Sequence, residues 1–395
     1  MTRVVLGVAI AVASAAAAGC ARGAPEPPPP AWQVRGPGGQ QAIAVGTTAP
    51  ELTDATTCVA CHAAIVDEWR RSRHGQAWTN GIFQREYQQA PKPWCVNCHA
   101  PTDAQQRDLT AGDPRLADQG VGCAACHVRG GRLVAARRAA TSPHDTVEDP
   151  TFGTPSFCAD CHEFPFPRLD GAGRAVALTD HPMQTTVSSF TTGPYADAPA
   201  GCLTCHATRH GHGFPGAHDP DMLGAALAVR WCGSGDQLTV EVENAEAGHR
   251  VPTGDVHRHL LLRVWRSSTP AGLWEGFFGR RYEPADDGGK RTVWDSTIPP
   301  KVVRRFTLEL AALADGELPL DRTEPINLAL TYVFTADEFP RPGRAPSEPT
   351  ATQLLAWRTA VDDLPTCPPL MPPASGRADA AAPGPPATRR APTPR

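Results

Sequence analysis

Five pentapeptides constrain this chain more than anything else in it: Cys58-Val-Ala-Cys61-His62, Cys95-Val-Asn-Cys98-His99, Cys123-Ala-Ala-Cys126-His127, Cys158-Ala-Asp-Cys161-His162 and Cys202-Leu-Thr-Cys205-His206. Two thiols at this spacing meet the two vinyl groups of one porphyrin, and the histidine that follows ligates its iron. C-x-x-C-H therefore reads as covalent c-type haem attachment. A bare C-x-x-C also serves as a zinc half-site or a redox pair, but neither use needs a histidine directly after the second cysteine. Histidine fills only 14 of 395 positions, so five such placements are not accidental. The expected cofactor is five covalent haem c groups with their iron. Their thioethers fall on Cys58, Cys61, Cys95, Cys98, Cys123, Cys126, Cys158, Cys161, Cys202 and Cys205, and their proximal ligands are His62, His99, His127, His162 and His206.

Haem attachment of this kind belongs to an exported protein, and the N-terminus agrees. Arg3 gives residues 1–20 a charged start, Val4 to Ala18 an apolar stretch, and Ala17-Ala18-Gly19 small residues before Cys20. The apolar run is too short to span a bilayer comfortably. One reading is an ordinary signal peptide cut near Ala18. The other is that Ala17-Ala18-Gly19-Cys20 resembles a bacterial lipobox, with Cys20 as the lipid anchor and Ala21 after it pointing to the outer membrane. The expected location is the periplasm or the outer membrane, with the lipid as the one contact to a membrane.

Of 13 cysteines the motifs take ten and the lipobox one, which leaves Cys232 and Cys367. In an exported protein an even remainder is expected to form a disulfide, here tying together the ends of the C-terminal domain. Two unpaired buried thiols are the alternative.

Residues 21–50, with Pro25 to Pro30, read as a disordered tether. The haem domain is expected over 51–225. Between Cys58 and His206 there is little sustained periodicity, and Pro91-Lys92-Pro93 or Ser142-Pro143-His144 interrupt what there is. Aromatic content is 6%, with 42 prolines and 36 glycines, so this half cannot bury much apolar surface by itself. Porphyrins would supply its core, and its folding should depend on them. The formal net charge is -4. Propionates of five haems would add about ten negative charges, which argues against nucleic acid and anionic lipid as partners and leaves redox proteins. Nothing in the sequence fixes the oligomeric state.

Ala63 to Trp78 reads as a helix with Ile65, Trp69 and Trp78 for packing and His74 near its end. Twelve residues of helix span about 18 Å, so His74 should serve a different haem from the one His62 holds. Nine histidines lie outside the motifs, and His74, His144, His212, His218 and His249 are the candidate distal ligands. His212 and His218 bracket the Phe214-Pro215-Gly216 turn. His181, His210, His257 and His259 are reserves.

From Gln237 the texture changes. Leu238 to Asn244 alternates apolar and polar, His259 to Trp265 reads as a more buried strand, and Val302 to Leu310 and Ile326 to Phe334 continue the pattern. An all-β antiparallel sandwich is expected over 230–367, with a disordered tail over 368–395. The Gly248-His249-Arg250-Val251-Pro252-Thr253-Gly254 loop between its first two strands either brings a ligand to the haem array or is a long connection that contains a histidine.

Together, the five motifs, the Trp69-Arg-Arg-Ser72-Arg-His74 segment, the His212 to His218 turn and the loop around His249 resemble bacterial multihaem c-type cytochromes of the cytochrome c-554 type, with a C-terminal sandwich added. The resemblance implies a periplasmic electron carrier with closely stacked, mostly bis-histidine haems. Tetrahaem members carry one motif fewer than this chain. An enzyme is the alternative, with one open haem acting on a small nitrogen or sulfur compound beside groups such as His181, Arg209 or Tyr195. The absence of a C-x-x-C-Lys variant and the supply of spare histidines favour the carrier.

Overall fold

The computed structural model describes residues 42–137, 143–171, 175–198, 201–207, 211–266, 273–286, 289–313, 322–335 and 351–367. The signal segment, Cys20, the tether up to residue 41, Arg209, His210 and the tail lie outside them. Among the described residues no helix is long and apolar enough to cross a membrane.

The motif-bearing half is a chain of short helices. In order they are α1 (Pro50–Thr53), α2 (Ala55–Arg71), α3 (Gly81–Gln89), α4 (Pro93–His99), α5 (Asp103–Thr110), α6 (Cys123–His127), α7 (Pro155–His162), α8 (Thr186–Thr191), α9 (Leu203–His206) and α10 (Pro220–Ala226). Four of them end on a motif histidine. The fifth such histidine, His62, breaks α2 with φ -118° and ψ 34°, so every motif closes a helical turn at its ligand. Helices this short are marginal alone, and local devices hold their ends. Asp54 caps α2 at the Thr56 N–H, while Thr102 and Gln105 form a capping box on α5.

The helix expected to run from Ala63 to Trp78 stops at Arg71. Ser72 leaves helical geometry with ψ 160°. Its hydroxyl donates to the Trp69 carbonyl at 2.7 Å and accepts from the Gly75 N–H at 3.0 Å, which closes the helix and turns the chain. A Cβ at Gly75 would stand 2.3 Å from the Trp69 carbonyl oxygen, so the turn requires glycine there. His74 consequently sits on a turn.

Five strands lie within this half. β1 (Val128–Arg129), β2 (Arg132–Ala135) and β3 (Thr146–Glu148) form one small sheet, and β4 (Glu163–Leu169) pairs antiparallel with β5 (Ala175–Thr185). That hairpin was not expected from the sequence.

The C-terminal half is largely antiparallel sheet. Its strands are β6 (Leu227–Ser234), β7 (Gln237–Asn244), β8 (His259–Arg266), β9 (Trp274–Phe278), β10 (Arg280–Pro284), β11 (Lys290–Asp295), β12 (Val303–Glu309), β13 (Pro325–Val333) and β14 (Ala351–Ala360). One sheet has the order β12-β7-β6, another β14-β13-β8-β9, and β10-β11 is a hairpin. Leu238, Val240 and Val242 alternate inward along β7 and meet Leu260, Leu262 and Val264 of β8 and Leu328 and Leu330 of β13 in one apolar core. The motif half has only small satellites, such as Trp78, Val96, Ala100 and Ala117. Cys232 of β6 and Cys367 beyond β14 are joined by an S–S bond of 1.96 Å.

Polar contacts lock the halves together. The Arg250 N–H donates to Ser189 Oγ at 2.8 Å, Thr186 and Thr253 share a hydroxyl contact at 2.6 Å, and Tyr195 donates to Glu246 at 2.5 Å.

Candidate functional site

All five motif histidines line one connected cavity of about 2730 Å³. A pocket for a single drug-sized ligand measures roughly 300–1,000 Å³, so this space suits several large groups. Beside Cys58 and Cys61 of the first motif it is bordered by cysteines from each of the others, and by His74, His144, His212, His218 and His249.

Four of the motif imidazoles face a second imidazole. The ring centres stand 6.2 Å apart for His62 and His144, 6.2 Å for His162 and His74, 6.3 Å for His127 and His212, and 6.4 Å for His206 and His249. A metal–nitrogen bond of about 2.0 Å on each side, with about 1.1 Å from ring nitrogen to ring centre, puts two trans imidazoles about 6.2 Å apart. The spacing therefore fits one iron between the rings of each pair. In every pair the second histidine comes from a segment outside its partner's motif.

Hydrogen bonds set the tautomers. Nδ1 lies 2.6 Å from the Ala77 carbonyl in His99, 3.1 Å from that of Val134 in His127, 2.7 Å from that of Pro215 in His206 and 3.0 Å from that of Arg250 in His249. A carbonyl only accepts, so Nδ1 carries the proton and Nε2 is left with its lone pair for a metal. Burial favours the neutral ring as well. It pushes His74 down to about 4, helped by His162 and His206, and it pushes His162 down to about 4, helped by His206 and His249. Thiol pairs, facing imidazoles and carbonyl-bound Nδ1 groups together fit the covalent haems that the motifs imply.

Numbering the centres by motif, the Cys58 thiol contacts Cys123 and the Cys158 thiol contacts Cys202, so centre 1 adjoins centre 3 and centre 4 adjoins centre 5. Centre 2 differs. Phe83 stacks on His99 at 3.6 Å, and among the described residues no second imidazole faces it. His218 stacks on Phe334 at 3.7 Å and forms no facing pair with a motif histidine among those residues. Burial, with Arg73 and Arg258, pushes it down to about 3. His257 and Tyr195 border the cavity, while His259 stacks on Phe277 at 5.0 Å and His181 lies on β5.

Three residues beside these groups were given no part in the site by the sequence. Glu68 of α2 accepts the His212 N–H at 3.0 Å. Fully buried Asn244, at the end of β7, donates to the His249 carbonyl at 2.8 Å and to that of Ile298 at 3.0 Å, and accepts from the Ala247 N–H at 3.1 Å. Phe214 has φ 43°, a left-handed conformation that costs a bulky residue about 1–3 kcal/mol. None of the three has a sequence signal beyond its polarity or bulk.

Residues 57–128, which contain the first three motifs, match the family described as Cytochrome c554 and c-prime. No curated protein matches the sequence. Among solved structures, the crystal structure of a penta-heme cytochrome c552 from Thermochromatium tepidum is similar with a TM-score of 0.57 and 18% identity, over 78% of this chain and 99% of that one. That likeness is one of fold. With the family match across three motifs and the facing imidazoles beyond it, the architecture described here is that of a multihaem c-type cytochrome.

Proposed function

We propose that the chain is an exported carrier of electrons that holds five haem c groups, four of them between two histidines. The observation that carries this reading is the set of four imidazole pairs at ligation spacing. Haem, when bound, supplies reversible one-electron chemistry. The chain's residues would do the rest: ten thiols would fix the groups, neutral imidazoles would ligate the irons, and backbone carbonyls would hold Nδ1 of His99, His127, His206 and His249. The sheet half would be a sandwich that supplies His249 and stays bolted to the array. Cys20 would carry the lipid, with redox proteins as partners on the periplasmic side.

Mass spectrometry of protein from a host with cytochrome maturation machinery tests the attachment, and should show five added haems. Ferric spectra should be mostly low-spin, and a predominantly high-spin spectrum would defeat the carrier reading. Cys20→Ser should abolish lipid labelling and release the protein from membranes.

One observation favours a second reading. Because His99 faces no second imidazole among the described residues, centre 2 would keep an open side and act on a small nitrogen or sulfur compound. Adding nitrite, hydroxylamine or cyanide to the ferric protein, or carbon monoxide to the reduced protein, should then shift a high-spin fraction of the spectrum. Identical spectra with and without all four leave the carrier reading alone.

A further inference from the structure

One short turn touches three of the centres. His212 faces His127 across centre 3. Two residues on, the Phe214 ring lies 5.8 Å from His212 at 82° and 4.9 Å from His74 at 54°, and His74 belongs to centre 4. The next carbonyl, of Pro215, accepts from His206 of centre 5 at 2.7 Å.

Phe214 occupies its place at a conformational cost. Its φ of 43° lies in the left-handed region, which glycine enters freely and a bulky side chain resists. Pro215 restricts it further, since the residue before proline favours extended backbone. Gly211, Gly213 and Gly216 surround it, so the turn is otherwise built of residues without that penalty. Strain kept at such a position points to a use for the ring.

The two imidazoles beside it have ring contacts but, among the described residues, no hydrogen bond on the ring. Among the described residues His99, His127, His206 and His249 have Nδ1 bonded to a carbonyl, but no hydrogen bond reaches a ring nitrogen of His74 or His212. An imidazole held only through Nε2 can rotate about the bond to its metal, and packing alone then sets its plane.

We propose that Phe214 is a positioning residue whose ring sets the planes of His74 and His212, and so fixes the axial geometry of centres 4 and 3 together without ligating either. This rests on the ligand reading proposed above.

Low-temperature electron paramagnetic resonance of the ferric, fully haem-loaded protein tests it, because low-spin g values follow the angle between axial imidazole planes. Phe214→Tyr keeps the ring and should leave all signals at their wild-type positions. Phe214→Leu and Phe214→Gly remove the ring, the second while relieving the backbone, and each should move two of the low-spin signals. His74→Ala and His212→Ala should each convert one signal to high spin. If these histidine variants leave all the low-spin signals of the wild-type protein in place, the ligand reading falls, and the inference with it. If they behave as expected while Phe214→Leu and Phe214→Gly lower the melting temperature without moving a g value, Phe214 is packing alone and the inference is overturned.

Discussion

A histidine is prepared for a metal by what its other nitrogen touches, and His249 shows how far that preparation extends. Its Nδ1 is bonded to Arg250, while its own carbonyl is gripped by Asn244. Replacing Asn244 with alanine leaves buried groups without partners, which should cost about 1–3 kcal/mol and loosen the loop. Urea titration measures the first effect, and a high-spin fraction at centre 5 reports the second. His249→Ala should open centre 5 outright, and unaltered optical and paramagnetic spectra would show that this histidine ligates nothing. Asp54 gives a pH test. Burial raises its pKa, but hydrogen bonds from Thr56 and Gln119 and the Arg115 charge outweigh burial and hold it below the ordinary carboxyl value. Its contribution is therefore complete above that ordinary value and disappears as pH falls through the lowered one. Asp54→Ala should cost about 1 kcal/mol at neutral pH and much less in acid, read from melting curves at both. At this scale the sequence announces which residues are chemically unusual. The motif histidines, His74, His144, His212 and His249 could all be named from it, but which faces which could not, because each pair is closed by tertiary structure. His218 illustrates the limit, since its ring found Phe334 and nothing in the local sequence distinguishes it from His212.

Among elements, legibility followed periodicity. The strands at Gln237–Asn244, His259–Arg266, Val303–Glu309 and Pro325–Val333 lie where apolar and polar residues alternate or apolar residues run together. The β4-β5 hairpin was hidden because Pro165, Pro167 and Pro182 interrupt its ladder, and its register shifts three times. Helix α2 was misjudged at both ends, since capping by Asp54 and closure by Ser72 depend on single side chains. The sheets carry their own test in the Cys232–Cys367 bond, which spans 135 residues. Replacing both cysteines with serine should cost about 2–5 kcal/mol, seen as a lower urea midpoint that reductant no longer shifts.

For the whole molecule, the contrast lies in where apolar surface is buried. The sheets share one large core, whereas the motif half surrounds a cavity with small clusters. A chain produced without haem attachment should accordingly protect its β7, β8 and β13 amides from hydrogen exchange and leave α2 to α9 unprotected. Equal protection across both halves would contradict this division. Sequence composition indicated the poverty of the first half, but not that the two halves would be tied by Ser189, Thr253 and Glu246.

The facing imidazoles also set a schedule. A polypeptide threaded through a membrane from its N-terminus makes its partners available in the order His144, His162, His212 and His249, so on the proposed ligand assignment centre 1 closes first, then 4, then 3 and finally 5. Nascent chains halted short of residue 249 would present His206 with no counterpart, and maturation of that last centre must wait until β7 has emerged.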